Sequence, residues 1–227
     1  MAADWASLLA RARQRVEDGE RRLASTDDED ARQRQLTRLG NAANAAGLCL
    51  LMLGRRDEAA EWLGRAAARW RQSHDLAPPG SWGRPIGTIK ARVLAGDWGG
   101  ARAEADWALA EGAAASESPI GRYAACLALL VLERAAEALT HAESLRGRDD
   151  FPAEVADALA ALAAADADAY GRTVAAVLKS FETRDGYLED LPIADTVLVL
   201  QALARQRGLA ADLESPLLPS SARDSSD

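Results

Sequence analysis

Few of the residue types that carry enzyme chemistry occur in this chain of 227 residues, which holds two histidines, two cysteines and two lysines. His74 and His141 each lack a second ligand at helical or zinc-finger spacing, which argues against a metal site. There is no Gly-x-x-x-x-Gly-Lys phosphate loop, no Gly-x-Ser-x-Gly elbow and no dinucleotide fingerprint, so neither a cofactor nor a nucleophile is implied. Cys49 and Cys126 lie in apolar stretches, where a thiol serves as a small buried hydrophobe, and they fit a reduced compartment. No window approaches the ~20 apolar residues of a membrane span. The opening MAADWASLLARARQRV has an acid at Asp4 and no apolar core of signal-peptide length, so the expected location is cytoplasmic. β-Branched and aromatic residues are sparse while Ala and Leu dominate, which points to an all-α fold.

Basic charge is scarce only toward the end. Residues 1–146 hold 20 acidic and 20 basic side chains, whereas residues 147–227 hold 15 and 7, so the last third carries the whole net charge of −8. An acidic surface disfavours nucleic-acid phosphates and anionic membranes; it keeps a protein in solution and suits a basic partner.

Apolar rhythm and helix-boundary residues predict ten helices, at 3–24, 29–53, 57–73, 86–95, 99–115, 119–132, 135–146, 152–164, 167–181 and 191–207. Starts are marked by Ser118-Pro119, by Asp150 before Pro152, and by Asp166 or Asp168. The only β-branched-rich stretch, TVLVLQAL from Thr196, follows Asp190 and Pro192 and runs to Gly208, so it reads as a buried helix. One domain over 1–214 is expected, with a polar, partly disordered tail over 215–227.

Within the run AAGLCLLMLGRRDEAAEWLGRAA, small and large apolar residues alternate as two closely packed antiparallel helices require. Gly47 and Ala59 let the backbones approach, and Leu50, Leu63 and Ala66 fill the groove between them. Gly54 supplies a left-handed helix stop, and Asp57 is placed to cap the helix that follows. GDWGGARAEADWALA repeats the turn at Gly96, Asp97 and Trp98 and the small residues at Ala101, Ala105 and Ala108. Its first helix fits less well, with Ile89 and Arg92 at the small and large positions. YAACLALLVLERAAEALTHAESL gives a third copy through Cys126, Leu129, Glu133, Ala138, Ala142 and Leu145, with Glu133 in place of the turn glycine. In a fourth helix pair Tyr170 falls where Ala is wanted. Ala59, Ala101 and Ala138 stand 42 and 37 residues apart, so the connections between copies must carry insertions.

This spacing resembles the tetratricopeptide repeat over about residues 40–146 and more weakly to 181. The resemblance implies an irregular array of antiparallel helix pairs, an α-solenoid. It also implies a non-catalytic scaffold that binds a protein or peptide in the groove lined by each repeat's first helix. Carried over residue by residue, that groove is faced by Asn44, Leu48, Leu51, Lys90, Tyr123 and Leu127. The Lys and Asn set of the family's peptide-carboxylate clamp is missing, since Asn44 and Leu48 stand in those places. More faintly, the end from YLEDLPIADTVLVLQALARQRGLA to ESPLLP is similar to the closing helix of all-helical immunity proteins of bacterial polymorphic toxin systems, which implies neutralisation of a toxin by direct contact.

Two features stand outside the repeat. Trp82, in the Gly- and Pro-flanked loop APPGSWGRP, either plugs a groove between repeats or is an exposed anchor for a partner. The acidic run FETRDGYLEDLPIAD places Glu182, Asp185, Glu189, Asp190 and Asp195 near one helix junction. Paired carboxylates there are the only centre an enzyme would have, and helix capping with solvated loop charge is the ordinary alternative.

Overall fold

The computed structural model describes residues 3–220. The expected disorder of the last residues falls on 221–227, outside that range, whereas Leu217, in the predicted tail, is buried. Among the described residues there is no strand, and ten α-helices follow one another: α1 (Trp5–Ala24), α2 (Glu29–Met52), α3 (Arg56–His74), α4 (Gly83–Leu94), α5 (Trp98–Ala110), α6 (Pro119–Val131), α7 (Ala135–Leu145), α8 (Ala153–Ala163), α9 (Ala167–Glu182) and α10 (Asp195–Arg205). They fall into two compact units. One holds α1 to α4 with residues 185–193 and 214–220; the other holds α5 to α9 with residues 194–213, which include α10.

The helix boundaries have local causes. Asp166 accepts from Ala169 N at 2.9 Å and so caps α9, and Ser118 precedes Pro119 at the first position of α6, where a missing N–H costs nothing. Asp57 is not a cap: α3 starts at Arg56 after Arg55, and Asp57 lies in its first turn, where its charge still favours the positive helix end. Asp150 pairs with Arg148 at 2.8 Å instead of capping α8. The predicted helix over 99–115 stops at Ala110, because Gly112 turns left-handed at φ 90° and only a short 3-10 turn over 113–115 follows. The predicted start at 191 moves to Asp195. Leu191 is extended at ψ 111°, as the residue before a proline prefers, and Leu191 and Ile193 are buried instead of joining a helix.

One turn recurs through both units. At the end of α2, Arg55 N donates to Leu50 O at 2.9 Å and Gly54 N to Leu51 O at 3.0 Å, with Gly54 at φ 72°. This paired arrangement satisfies two carbonyls that the helix end leaves open. The same two bonds close α4 around Gly96, α6 around Glu133 and α8 around Ala165. Glu133 at φ 61° and Ala165 at φ 56° hold the left-handed conformation without being glycine. Five residues after the first three turns stand Ala59, Ala101 and Ala138, each with 0% of its surface exposed.

The turns stand 42, 37 and 32 residues apart. Much of the excess in the first interval lies inside a helix: α3 has 19 residues, against 11 in α7. Beyond the first and third turns an Arg and a Glu three residues on form a forked pair, Arg55 with Glu58 and Arg134 with Glu137.

In the first unit α2 is the central helix, packed against α1 and α3, and α3 also packs on α4. A Cβ added at Gly47 would sit 2.7 Å from Leu63 Cγ and 3.3 Å from Ala59 O, so α2 and α3 touch where the sequence placed their crossing. The Trp70 indole of α3 lies between two more glycines. Added Cβ atoms at Gly40 of α2 and Gly87 of α4 would fall 2.5 and 2.7 Å from its ring, and Nε1 donates to Asn41 Oδ1 at 3.1 Å. In the second unit each helix packs on its successor from α5 to α10. Tyr170, at the place equivalent to Ala59, is wholly buried, and its hydroxyl donates to Gln201 Oε1 at 3.0 Å.

Candidate binding surfaces

Of the first-helix residues expected to face a groove, the first unit half-exposes Asn44, Leu51 and Lys90, and the second half-exposes Tyr123. Leu48 and Leu127 are corrected: Leu48 is buried and Leu127 has no exposed surface, so neither can meet a partner. The cause is the packing of the first helices. α2 is covered by α1 as well as α3, and α6 by both α5 and α7, so positions that a simple two-layer array would leave open are enclosed. The Tyr123 ring lies 5.5 Å from that of Phe151, an edge-tilted contact that fixes its plane.

Trp82 is not an exposed anchor. It precedes α4, its N–H donates to Gly80 O at 2.8 Å, and only 9% of its surface is exposed. Its loop is shorter than expected because α4 starts at Gly83 and takes Pro85 into its first turn, where proline is tolerated.

The acidic run is divided between the two units, Glu182 and Asp195 in the second and Asp185, Glu189 and Asp190 in the first. Glu182 lies 3.7 Å from Lys179, and Asp195 Oδ1 accepts from the backbone of Thr196 at 2.8 Å. Asp185 is exposed. Glu189 pairs with Arg15 and Asp190 approaches Arg11 at 4.0 Å. Among the described residues no group of three or more His, Cys, Asp or Glu side chains is arranged to hold a metal ion, and no helix is long and apolar enough to cross a membrane.

These pairings expose a surface that no sequence motif marks. Arg11, Arg15 and Arg22 follow one another along α1 at intervals of four and seven residues, which puts them on one face of a helix. Arg15 and Arg22, with Gln35, Arg38 and Ala42 of α2 and with Glu189, line a cavity of about 430 Å³. The spacing of the arginines was visible in the sequence; their acidic partner, from residues 188–190, was not.

Burial sets the behaviour of both thiols. Burial pushes the Cys49 thiol up to about 11 and the Cys126 thiol up to about 12, the opposite of what a reactive cysteine needs. Burial, and then the nearby Arg122, lower the pKa of His141 despite the opposing charge of Glu137. No protein-family model matches the chain, and neither a curated protein nor a solved structure matches it.

Proposed function

We propose that this chain is a non-catalytic, tetratricopeptide-like scaffold that binds a protein or peptide through the first helices of its hairpins. The observation that carries the proposal is the recurrent turn at Gly54, Gly96, Glu133 and Ala165, followed in its first three copies by a buried alanine five residues on. A chain that repeats one hairpin presents equivalent positions several times along its length, and such positions suit recognition of a peptide or protein surface. In the first unit the half-exposed Asn44, Leu51 and Lys90 offer the mixture of directional hydrogen bonds and apolar area found at recognition surfaces, and in the second unit Tyr123 offers a half-exposed ring.

Affinity capture from the source cell, followed by cross-linking, tests this. The expected result is a protein partner cross-linked near Asn44, Lys90 or Tyr123, whose capture is lost in the Lys90→Glu, Tyr123→Ala double variant while far-UV circular dichroism and melting stay as in wild type. A partner mapped wholly to other faces, or a turnover lost on changing Glu182, Asp185 and Asp190 to alanine, would overturn the proposal.

A further inference from the structure

The cavity between α1 and α2 holds an imbalance of charge. Three guanidinium groups, from Arg15, Arg22 and Arg38, line it with a single carboxylate, that of Glu189. Among the described residues Arg22 Nε donates only to the backbone oxygen of Asp18, at 3.2 Å, and Arg38 forms no ion pair. This is a local excess of positive charge on a chain whose net charge is −8.

The segment that delivers Glu189 does so from an unfavourable backbone. Glu189 and Asp190 are consecutive non-glycine residues at φ 59° and φ 58°, a conformation that crowds the Cβ against the chain. What they reach is the arginine row. The Glu189 side chain is 13% exposed, and its buried Oε2 meets Arg15 as an ion pair without the alignment of a hydrogen bond. Asp190 points toward Arg11, one turn earlier on α1. Beside them Leu188 is left 71% exposed. Two carboxylates thus meet two arginines a helical turn apart, while Arg22 and Arg38 continue the row past the point where Glu189 ends.

We propose that this row is a docking site for an acidic peptide segment, for which Leu188-Glu189-Asp190 is the built-in competitor. The occupant is identified by what already sits there, adjacent peptide carboxylates paired with guanidinium groups, the pairing that arginine makes best. An incoming segment with further acidic residues gains Arg22 and Arg38, which the chain's own segment leaves unmatched, and displacing that segment releases two strained residues. The proposal rests on the reading of the chain as a peptide-binding protein, but at residues separate from the first-helix positions Asn44, Lys90 and Tyr123.

The test is fluorescence anisotropy on the full chain, with a labelled peptide carrying Leu-Glu-Asp followed by two further glutamates. Glu189→Ala is expected to tighten binding by about tenfold, the gain that corresponds to a competitor occupying its site about nine-tenths of the time. Glu189→Gln serves the same purpose should the alanine variant fail to fold. Adding Arg22→Ala and Arg38→Ala to the Glu189 variant should remove that binding, whereas Asn44→Ala and Lys90→Glu should leave it in place. The proposal is overturned if a folded Glu189 variant does not bind the peptide, if the arginine substitutions do not weaken it, or if inorganic phosphate or a single-stranded oligonucleotide of equal charge displaces the peptide at equal or lower concentration. Loss of peptide binding alongside persistent capture of a partner at the first helices would refute this site and leave the scaffold function standing.

Discussion

Replacing Gly87 by alanine adds one methyl group, and the packing around Trp70 dictates that it should destabilise the first unit. The new Cβ would stand 2.7 Å from Trp70 Cε3 and 3.0 Å from Cδ2 and Cζ3, about 1 Å inside the ~3.5–4.0 Å at which carbon atoms sit at rest. The ring has nowhere to go. On its other side the Gly40 backbone already approaches so closely that a Cβ there would fall 2.5 Å from Cδ1, and the Nε1 bond to Asn41 fixes the indole's orientation. Overpacking of this kind costs about 1–3 kcal/mol. Gly64→Ala, in the neighbouring helix α3, is the matched control, because its Cβ would meet only Arg92 Nη1 at an ordinary 3.7 Å. That substitution should stabilise by about 0.4–1 kcal/mol, since alanine has less freedom to lose on folding. The two changes act alike on the unfolded chain, so that shared gain cancels and the difference between them, about 1–3 kcal/mol, isolates the slot. Urea denaturation followed by far-UV circular dichroism measures both. The penalty should largely vanish when Gly87→Ala is made in a Trp70→Leu background, as a double-mutant cycle would report. If Gly87→Ala proves as stable as Gly64→Ala, the close approach of α2, α3 and α4 around Trp70 is wrong.

Ala165→Gly should stabilise the second unit by about 0.5–1 kcal/mol, because the residue sits at φ 56° and relief of left-handed strain exceeds the entropy that glycine loses; a lower urea midpoint would contradict this. Arg207 donates to Leu130 O at 3.1 Å and to Leu162 O at 3.3 Å, so Arg207→Met, which keeps the aliphatic length, should cost about 1.5–3 kcal/mol in chemical denaturation, and an unchanged midpoint would show those contacts to be idle. Cys49 and Cys126, with thiols raised to about 11 and about 12, should resist a thiol reagent at mildly alkaline pH until the chain is unfolded in urea; labelling of the folded protein at the rate of a free cysteine would refute their burial.

Much of the helical order was legible because its signals are local. The small residues at Gly47, Ala59, Ala101 and Ala138, the stops at Gly54 and Gly96, and the cap at Asp166 each act within a few residues, and each is found in the expected role. Illegible features depend on elements distant in sequence. Nothing near Trp70 announces that Gly40 and Gly87 form its slot. Leu48 was assigned to an open groove because a repeat alignment has no place for α1, which covers α2 and encloses it. Glu189 looked like one acid among five, and only the fold brings it to Arg15.

The fourth hairpin shows how a repeated device changes when one of its residues does. Its turn at Ala165 keeps the two backbone bonds of the earlier copies, but the residue five positions later is Tyr170 instead of alanine. A tyrosine in an alanine's place could not be tolerated between two closely crossing helices unless a neighbour received it. Gln201 of α10 does so: it accepts from the Tyr170 hydroxyl and from Ala211 N at 3.1 Å, and its amide donates to Ala211 O. That satisfies a glutamine that is only 5% exposed, and it ties the segment after α10 back to the fold. α10 itself closes with the same pair of bonds around Gly208, from Leu209 N to Ala204 O and from Gly208 N to Arg205 O. No further α-helix of the second unit follows. Instead Arg207 places its guanidinium on carbonyls at the ends of α6 and α8, where the helix dipoles favour a positive charge. Tyr170, Gln201 and Arg207 thus bind α9 and α10 to each other, and the residues after α10 to the ends of α6 and α8, through buried and half-buried hydrogen bonds.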